Sequence, residues 1–140
     1  MPASIESINP NTVWAVPDNF TTIYSHATAV EGAAKWMFVS GQFGVAPCGA
    51  LRTSFREQAE QALDNIEALL SHAGMGMGNL VKLTYFLTNS EDAVALAEVR
   101  MRRWKERQPP AVTVLTVSAL ARPEYLIEIE AVAAIGGTDA

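Results

Sequence analysis

The sequence predicts a single α/β domain that assembles with copies of itself. Three observations carry this expectation. The chain has 140 residues, 49% apolar and 18% charged, which is enough for one core and too apolar for a disordered segment. The apolar period switches along the chain between alternation and a three-and-four spacing, in the order β-β-β-α-β-α-β-β. Two helices cover only one face of so wide a sheet, yet Val112–Val117 is apolar on both faces, with Val112 and Val114 on one and Leu115 and Val117 on the other. A second subunit is the simplest cover for the remaining face.

The elements follow in order. Residues 1–20 hold a short strand near Ile5–Ile8 and an irregular arm punctuated by Pro2, Pro10 and Pro17. Residues 24–30 read as a strand, Glu31-Gly32 as a turn and Trp36–Ser40 as a second strand, and the pair suggests a hairpin. A helix is predicted from about Thr53 to Ala73, because Phe55, Ala59, Ala62, Ile66, Leu69 and Ala73 form one apolar stripe. Thr53 or Ser54 can cap it, with Glu57 completing a capping box on Ser54, and Gly74 ends it in a left-handed conformation. Leu80–Leu87 is a strand. A second helix, about 91–106, carries Val94, Ala97, Met101 and Trp104 on its apolar positions and stops before Pro109-Pro110. Val112–Val117 and Tyr125–Ala134 are the last two strands. A single domain over residues 1–140 accommodates all of them.

Composition excludes several function classes. Asp and Glu number 15 and Lys and Arg 10, for a net charge of −5, which repels phosphate backbones and argues against nucleic acid as a partner. One cysteine, Cys48, allows no internal disulfide, and with His26 and His72 so far apart no metal site is expected. Met1–Pro10 has no Lys or Arg, so no signal peptide is expected, and no stretch is apolar enough to span a membrane. A cytoplasmic protein without cofactor or membrane partner is the resulting expectation. Gly74-Met75-Gly76-Met77-Gly78 follows a helix and lacks a downstream Lys-Ser/Thr, so it is not a phosphate loop. Cys48 has no basic neighbour in sequence to activate it. The basic cluster Arg100, Arg102, Arg103, Lys105 and Arg107 complements the end of its helix.

The last strand carries the chemistry. Alternation sets Tyr125, Ile127, Ile129 and Ala131 on one face, and Leu126, Glu128, Glu130 and Val132 on the other. A carboxylate on an apolar strand is either solvated, or paired with Lys82 or an Arg across the sheet, or buried and pushed to a higher pKa that suits general acid–base work. Tyr24, after the irregular arm, either lids a pocket or caps the core, and His26 is its hydrogen-bonded neighbour.

Several segments, taken together and in order, resemble the reactive-intermediate deaminase (Rid) family, also called YjgF or L-PSP. They are Tyr24-Ser25-His26-Ala27, Phe38-Val39-Ser40-Gly41-Gln42, Gln58 with Gln61-Ala62-Leu63-Asp64-Asn65-Ile66, Ala73-Gly74, Leu80-Val81-Lys82-Leu83-Thr84, Pro110-Ala111 and Ile127–Ala133. The resemblance spans about residues 20–134. It implies an α+β, chorismate-mutase-like fold, with a mixed six-stranded sheet and two helices on one face. It further implies a homotrimer with a central barrel and small-molecule clefts between subunits. Members hydrolyse imines and enamines such as 2-iminobutyrate and 2-aminoacrylate without a cofactor. By the same resemblance, Glu128 positions the attacking water, Tyr24 lines the cleft, Gly41 presents backbone to the substrate and the Val114 carbonyl partners substrate and water. Phe86, Val112, Val114 and Leu126 are the apolar neighbours expected around Glu128.

One departure matters. The deaminating members carry Pro-Ala-Arg, whose Arg grips the substrate carboxylate, where this chain has Pro110-Ala111-Val112. Losing one partner of a buried charged pair costs about 3–5 kcal/mol. The expected function is therefore hydrolysis of a small imine, enamine or related unsaturated molecule other than the usual 2-imino acids. Arg52 and Arg122 are candidates to replace the missing Arg. A non-catalytic ligand-binding or pathway-accessory trimer is the alternative, and an endoribonuclease or translation inhibitor the third reading.

Overall fold

The computed structural model describes residues 4–105 and 107–137, so Pro2 of the expected arm and Glu106 of the expected second helix lie outside the described residues. The six expected strands are present: β1 (Ser4–Ile8), β2 (Ala27–Glu31), β3 (Ala33–Phe43), β4 (Leu80–Leu87), β5 (Ala111–Thr116) and β6 (Ile127–Gly136). The two helices are α1 (Phe55–His72) and α2 (Ala93–Trp104).

Four strands form one mixed sheet in the order β3-β6-β4-β5, with β4 and β5 parallel and the other pairs antiparallel. The remaining two, β1 and β2, form an antiparallel ribbon instead of continuing the ladder. The ribbon's chain joins the sheet through one bridge, Ser25 to Ala111. Pro109 and Pro110, which lead into β5, have no N–H to extend that pairing. Their carbonyls are used instead. The Ser25 hydroxyl donates to Pro109 O at 2.9 Å, and the Ser25 amide to Pro110 O at 3.0 Å.

The hairpin expected over residues 24–40 does not form. Only Gly32 separates β2 from β3, at φ +72°, and a hairpin needs at least two loop residues. The chain bends there and passes from the ribbon into the sheet, where β3 pairs with β6.

Both helices pack on the same face of the sheet. Alternation in β6 sends Ile127, Ile129, Ala131 and Ala133 into the core, where they meet Leu83, Tyr85 and Leu87 of β4. Ala59, Ala62, Leu63, Ile66 and Leu70 of α1 close over them. The capping box at the start of α1 is formed: the Glu57 amide donates to Ser54 Oγ, and the Ser54 amide to Glu57 Oε1, both at 3.1 Å. Gly74 takes the left-handed φ of +75° just past the helix. Leu70, not Leu69, continues the buried stripe.

Helix α2 is turned from the expected face. Trp104 is buried as expected, but its companions are Leu96, Val99 and Arg100, while Val94 is 69% exposed. This rotation buries the larger side chains, a gain of about 25 cal/mol per Å² of apolar surface. It also turns Arg103 toward Glu60, Asp64 and Glu67 of α1, with Arg103 Nε 2.8 Å from Glu60 Oε1.

The sheet's other face carries no helix among the described residues. Trp36, Phe38 and Leu115 stand on it, and Phe38 is 76% exposed. No helix among the described residues is long and apolar enough to cross a membrane.

Two substitutions test this packing. Ser54→Ala removes the cap and should lower stability by about 1 kcal/mol in urea unfolding, with an unchanged denaturant slope. Gly44→Ala should cost more, about 1–3 kcal/mol, because its new Cβ would collide with the backbone of α1 at Gln58.

Candidate functional site

The residues singled out from the sequence fall into two clusters on opposite faces of the sheet. The first stands on the helix-free face. Glu128 of β6 pairs in register with Phe86 of β4, and alternation points both away from the core. Beside them the β3–β6 ladder shifts register between Val39 and Gln42, a bulge that carries Ser40 and Gly41. Gly41 lies directly against the Glu128 carboxylate: a Cβ on Gly41 would collide with Oε1, Cδ and Cγ of Glu128. Only glycine leaves room for the carboxylate there.

The electrostatics of this cluster disfavour the charged form of Glu128 relative to an ordinary carboxylate. Burial pushes its pKa above the ordinary carboxylate value, and the charge of Glu130, two residues along the same face, adds to the rise. Lys82 does not relieve it. The Lys82 ammonium donates to Thr113 Oγ1 at 2.6 Å, and no salt bridge to Glu128 or Glu130 forms among the described residues. Glu130 lines a cavity of about 360 Å³ with Phe38, Ser40, Lys82, Thr84 and Val132. Leu126 is not part of this cluster. It precedes β6 and packs on the core, its amide donating to Gln58 Oε1 at 2.9 Å.

The second cluster sits at the β5 edge on the helix-covered face. Tyr24, Val112 and Val114 line a cavity of about 290 Å³ with Phe20, Ile23, Leu96 and Arg100. A 3-10 turn over Asp18–Phe20 delivers Tyr24: the amides of Ile23 and Tyr24 donate to Phe20 O, and Ser25 anchors the next residue to the prolines before β5. His26 meets the Tyr24 ring edge-on at 6.0 Å, and its Nε2 hydrogen-bonds with the Trp14 carbonyl, as befits a neighbour of Tyr24.

Register explains the separation. Val112 and Val114 pair with Leu83 and Tyr85, whose side chains lie in the core, whereas Glu128 pairs with Phe86 on the other side. Within one chain Glu128 therefore does not meet Tyr24, Val112 or Val114. Those groups meet only if two copies bring opposite faces together.

Neither Arg52 nor Arg122 enters the second cluster. Arg52 donates to Gln61 Oε1 at 3.1 and 3.2 Å, and Arg122 is exposed on the loop before β6. The cation beside Val112 is Arg100, which the basic cluster at the end of α2 conceals. Its signal lay in helical spacing: Ala93, Leu96, Ala97 and Arg100 share one stripe, and all four line the cavity. No group of three or more His, Cys, Asp or Glu among the described residues could hold a metal ion. Cys48 is exposed and unpaired.

Against known proteins, residues 18–135 match the family model described as Endoribonuclease L-PSP. A RutC family protein of Aquifex aeolicus (strain VF5) is 36% identical over 112 residues, covering 78% of this chain and 87% of that protein. TdcF of Escherichia coli (strain K12), provisionally named a reactive intermediate deaminase, is 32% identical over 99 residues, covering 69% and 77%. Among solved structures, the Rid-family protein YyfB of Yersinia pestis, described as of unknown function, superposes with a TM-score of 0.82 at 28% identity, covering 93% of this chain and 98% of that one. E. coli TdcF with bound serine superposes with a TM-score of 0.67 at 30% identity, covering 79% and 87%.

The raised pKa of Glu128 makes a prediction about stability. The folded chain holds this proton more tightly than the unfolded chain, so the group's contribution becomes less favourable as pH rises through and above the ordinary carboxylate range. Glu128→Gln should therefore be more stable than the parent at pH 7, and the gap should close as pH falls below 4.5. Thermal unfolding of both proteins across this range reads the gap directly, and a gap that does not grow with pH refutes the burial of Glu128.

Proposed function

Because this chain belongs to the reactive-intermediate deaminase (Rid, or L-PSP) family, we propose that it is a cofactor-independent hydrolase of a small imine or enamine. The observation that carries the reading is Glu128, a carboxyl raised in pKa, in no salt bridge among the described residues and packed against a glycine that leaves room for it. In its protonated form it can donate its proton to an enamine carbon, giving the iminium ion and the carboxylate. As carboxylate it takes a proton from water, whose oxygen bonds to the iminium carbon. The carboxyl then passes that proton to the nitrogen and takes up the proton of the new hydroxyl as the C–N bond breaks, releasing ammonia and leaving the carbonyl product. The Gly41 backbone and the Val114 carbonyl would hold the substrate, with Tyr24 and Phe86 walling the cleft.

The cleft is proposed to lie between copies of the chain, as a homotrimer in which the face bearing Glu128 and Gly41 meets the edge bearing Tyr24, Val112 and Val114. The exposed Trp36, Phe38 and Leu115 on the helix-free face support this assembly, since an apolar face of that size is seldom left in water. Sedimentation should give a particle of about 45 kDa, three times 15.1 kDa. A 15.1 kDa species at micromolar concentration removes both the trimer and the shared cleft.

Val112 favours a substrate unlike the family's usual 2-imino acids, because valine offers no donor to a carboxylate. The same residue supports the second reading, a trimer that binds a small ligand without turnover. Release of ammonia and keto acid from 2-iminobutyrate separates these readings from the standard activity: the parent should turn it over poorly, and Val112→Arg should improve it. Efficient turnover by the parent contradicts the proposed change of substrate. On a substrate that is turned over, Glu128→Gln should cut the rate by roughly 10²–10⁴, the usual worth of a general acid or base. Unchanged turnover excludes Glu128 as that group.

A further inference from the structure

Helix α2 carries three arginines, and two of them are matched by acids. Arg103 faces Glu60, Asp64 and Glu67 of α1, and Arg102 lies 3.5 Å from Glu60. Arg100 differs. It is only 6% exposed, and no carboxylate forms a salt bridge with it among the described residues. One terminal nitrogen donates to the Ile23 carbonyl at 2.8 Å, and the guanidinium carbon stands 4.9 Å from the centre of the Tyr85 ring. Its Nε is buried with no hydrogen-bond partner among the described residues. A cation removed from water is strongly disfavoured unless an anion or a full set of acceptors replaces the water, and one carbonyl with the ring and hydroxyl of Tyr85 does not supply that set.

The unmatched charge is not sealed in the core. It forms part of the wall of the cavity of about 290 Å³ that Tyr24, Val112 and Val114 share, close to the lower bound of about 300 Å³ for ligand pockets. Phe20, Ile23 and Leu96 make the rest of the wall largely apolar. A polar group fixed on an otherwise apolar wall sets the orientation of a ligand. A guanidinium in that role matches a carboxylate, which can take two parallel N–H donors.

We propose that Arg100 is the anion-recognising residue of this pocket, and that the ligand is a small monocarboxylate with an apolar body, other than a 2-imino acid, because its carboxylate is held from α2 and not from the position of residue 112 on β5. The charge that residue 112 no longer supplies from strand β5 is supplied from helix α2. The carboxylate therefore points toward α2 and the apolar body lies along Val112 and Val114. This rests on the reading that the Tyr24–Val112–Val114 cavity receives the ligand, but it does not depend on turnover.

Benzoate and its neutral isostere benzamide test the proposal by titration calorimetry on the full chain. The parent should bind benzoate at least tenfold more tightly than benzamide. Arg100→Met should reduce that preference to less than twofold, and Arg100→Lys should keep part of it. A second pair covers the case in which Arg100→Met does not fold. Val112→Glu offers the buried cation an internal partner, so it should unfold at a higher temperature than Val112→Gln and lose the benzoate preference. Equal binding of the two probes, no benzoate binding at millimolar concentration, a preference that survives Arg100→Met, or a Val112→Glu protein less stable than Val112→Gln would each overturn the proposal. Benzoate preference without imine hydrolysis would retain Arg100 and sink the hydrolase. Hydrolysis of a neutral imine by a protein indifferent to benzoate would do the reverse.

Discussion

Strand β6 imposes the constraint on which the rest of the structure depends. It runs between β3 and β4, so both of its edges are hydrogen-bonded and its register is fixed twice. Ile127, Ile129, Ala131 and Ala133 have to be dry, and a slip of one residue would send carboxylates into the core in their place. Keeping the apolar set inside forces Glu128 and Glu130 onto the helix-free face. The core thereby positions the acid, and the same ladder brings Phe86 opposite Glu128 and lets the β3 bulge lay Gly41 against it.

The second cluster depends on a different junction. The arm ahead of β2 has little core of its own, yet Tyr24 is held beside β5 because Ser25 bonds to the carbonyls of Pro109 and Pro110. Ser7 donates to the same Pro109 carbonyl, and Thr28 to the carbonyl of Val81. Side-chain hydroxyls thus replace the backbone ladder that the prolines interrupt. Arg100 adds a tie from the helix side, through Ile23, so the tyrosine is fixed from both the strand and the helix.

Local signals were legible in the sequence wherever one interaction range decides the outcome. Strand Leu80–Leu87, the Ser54–Glu57 capping box, the left-handed Gly74 and the two faces of Ile127–Val132 all follow from neighbours a few residues apart. The α+β Rid-type fold itself was legible only through the ordered family segments, and the solved relatives bear it out. What could not be read depended on distant partners. Residues 24–40 look like a hairpin by local pattern, but β3 finds a better partner in β6, nearly a hundred residues later. The inward face of α2 is set by what α1 offers Arg103, and five basic residues in eight positions hide the one that turns inward. The placement of Glu128 and Tyr24 on opposite faces required knowing the register of β4, which sets Val112 and Val114, beside Tyr24, opposite core residues and Glu128 opposite Phe86.

The position of β6 also bears on how the chain comes together during synthesis. Both β3 and β4 must wait for a strand that comes after every other described element, so neither can complete its ladder until residues 127–136 have emerged. Before that, β4, α2 and β5 can associate through the parallel β4–β5 pair, and α1 can form on its cap. Their apolar inner surfaces would still lack Ile127 and Ile129. The growing chain thus passes through a period in which helices exist without the strand that unites them, with two sheet edges open side by side. Non-local pairing of this kind slows closure, and open edges invite pairing with other nascent chains. A strand that gives the finished protein its register is, for the unfinished one, the interval of greatest exposure to its neighbours.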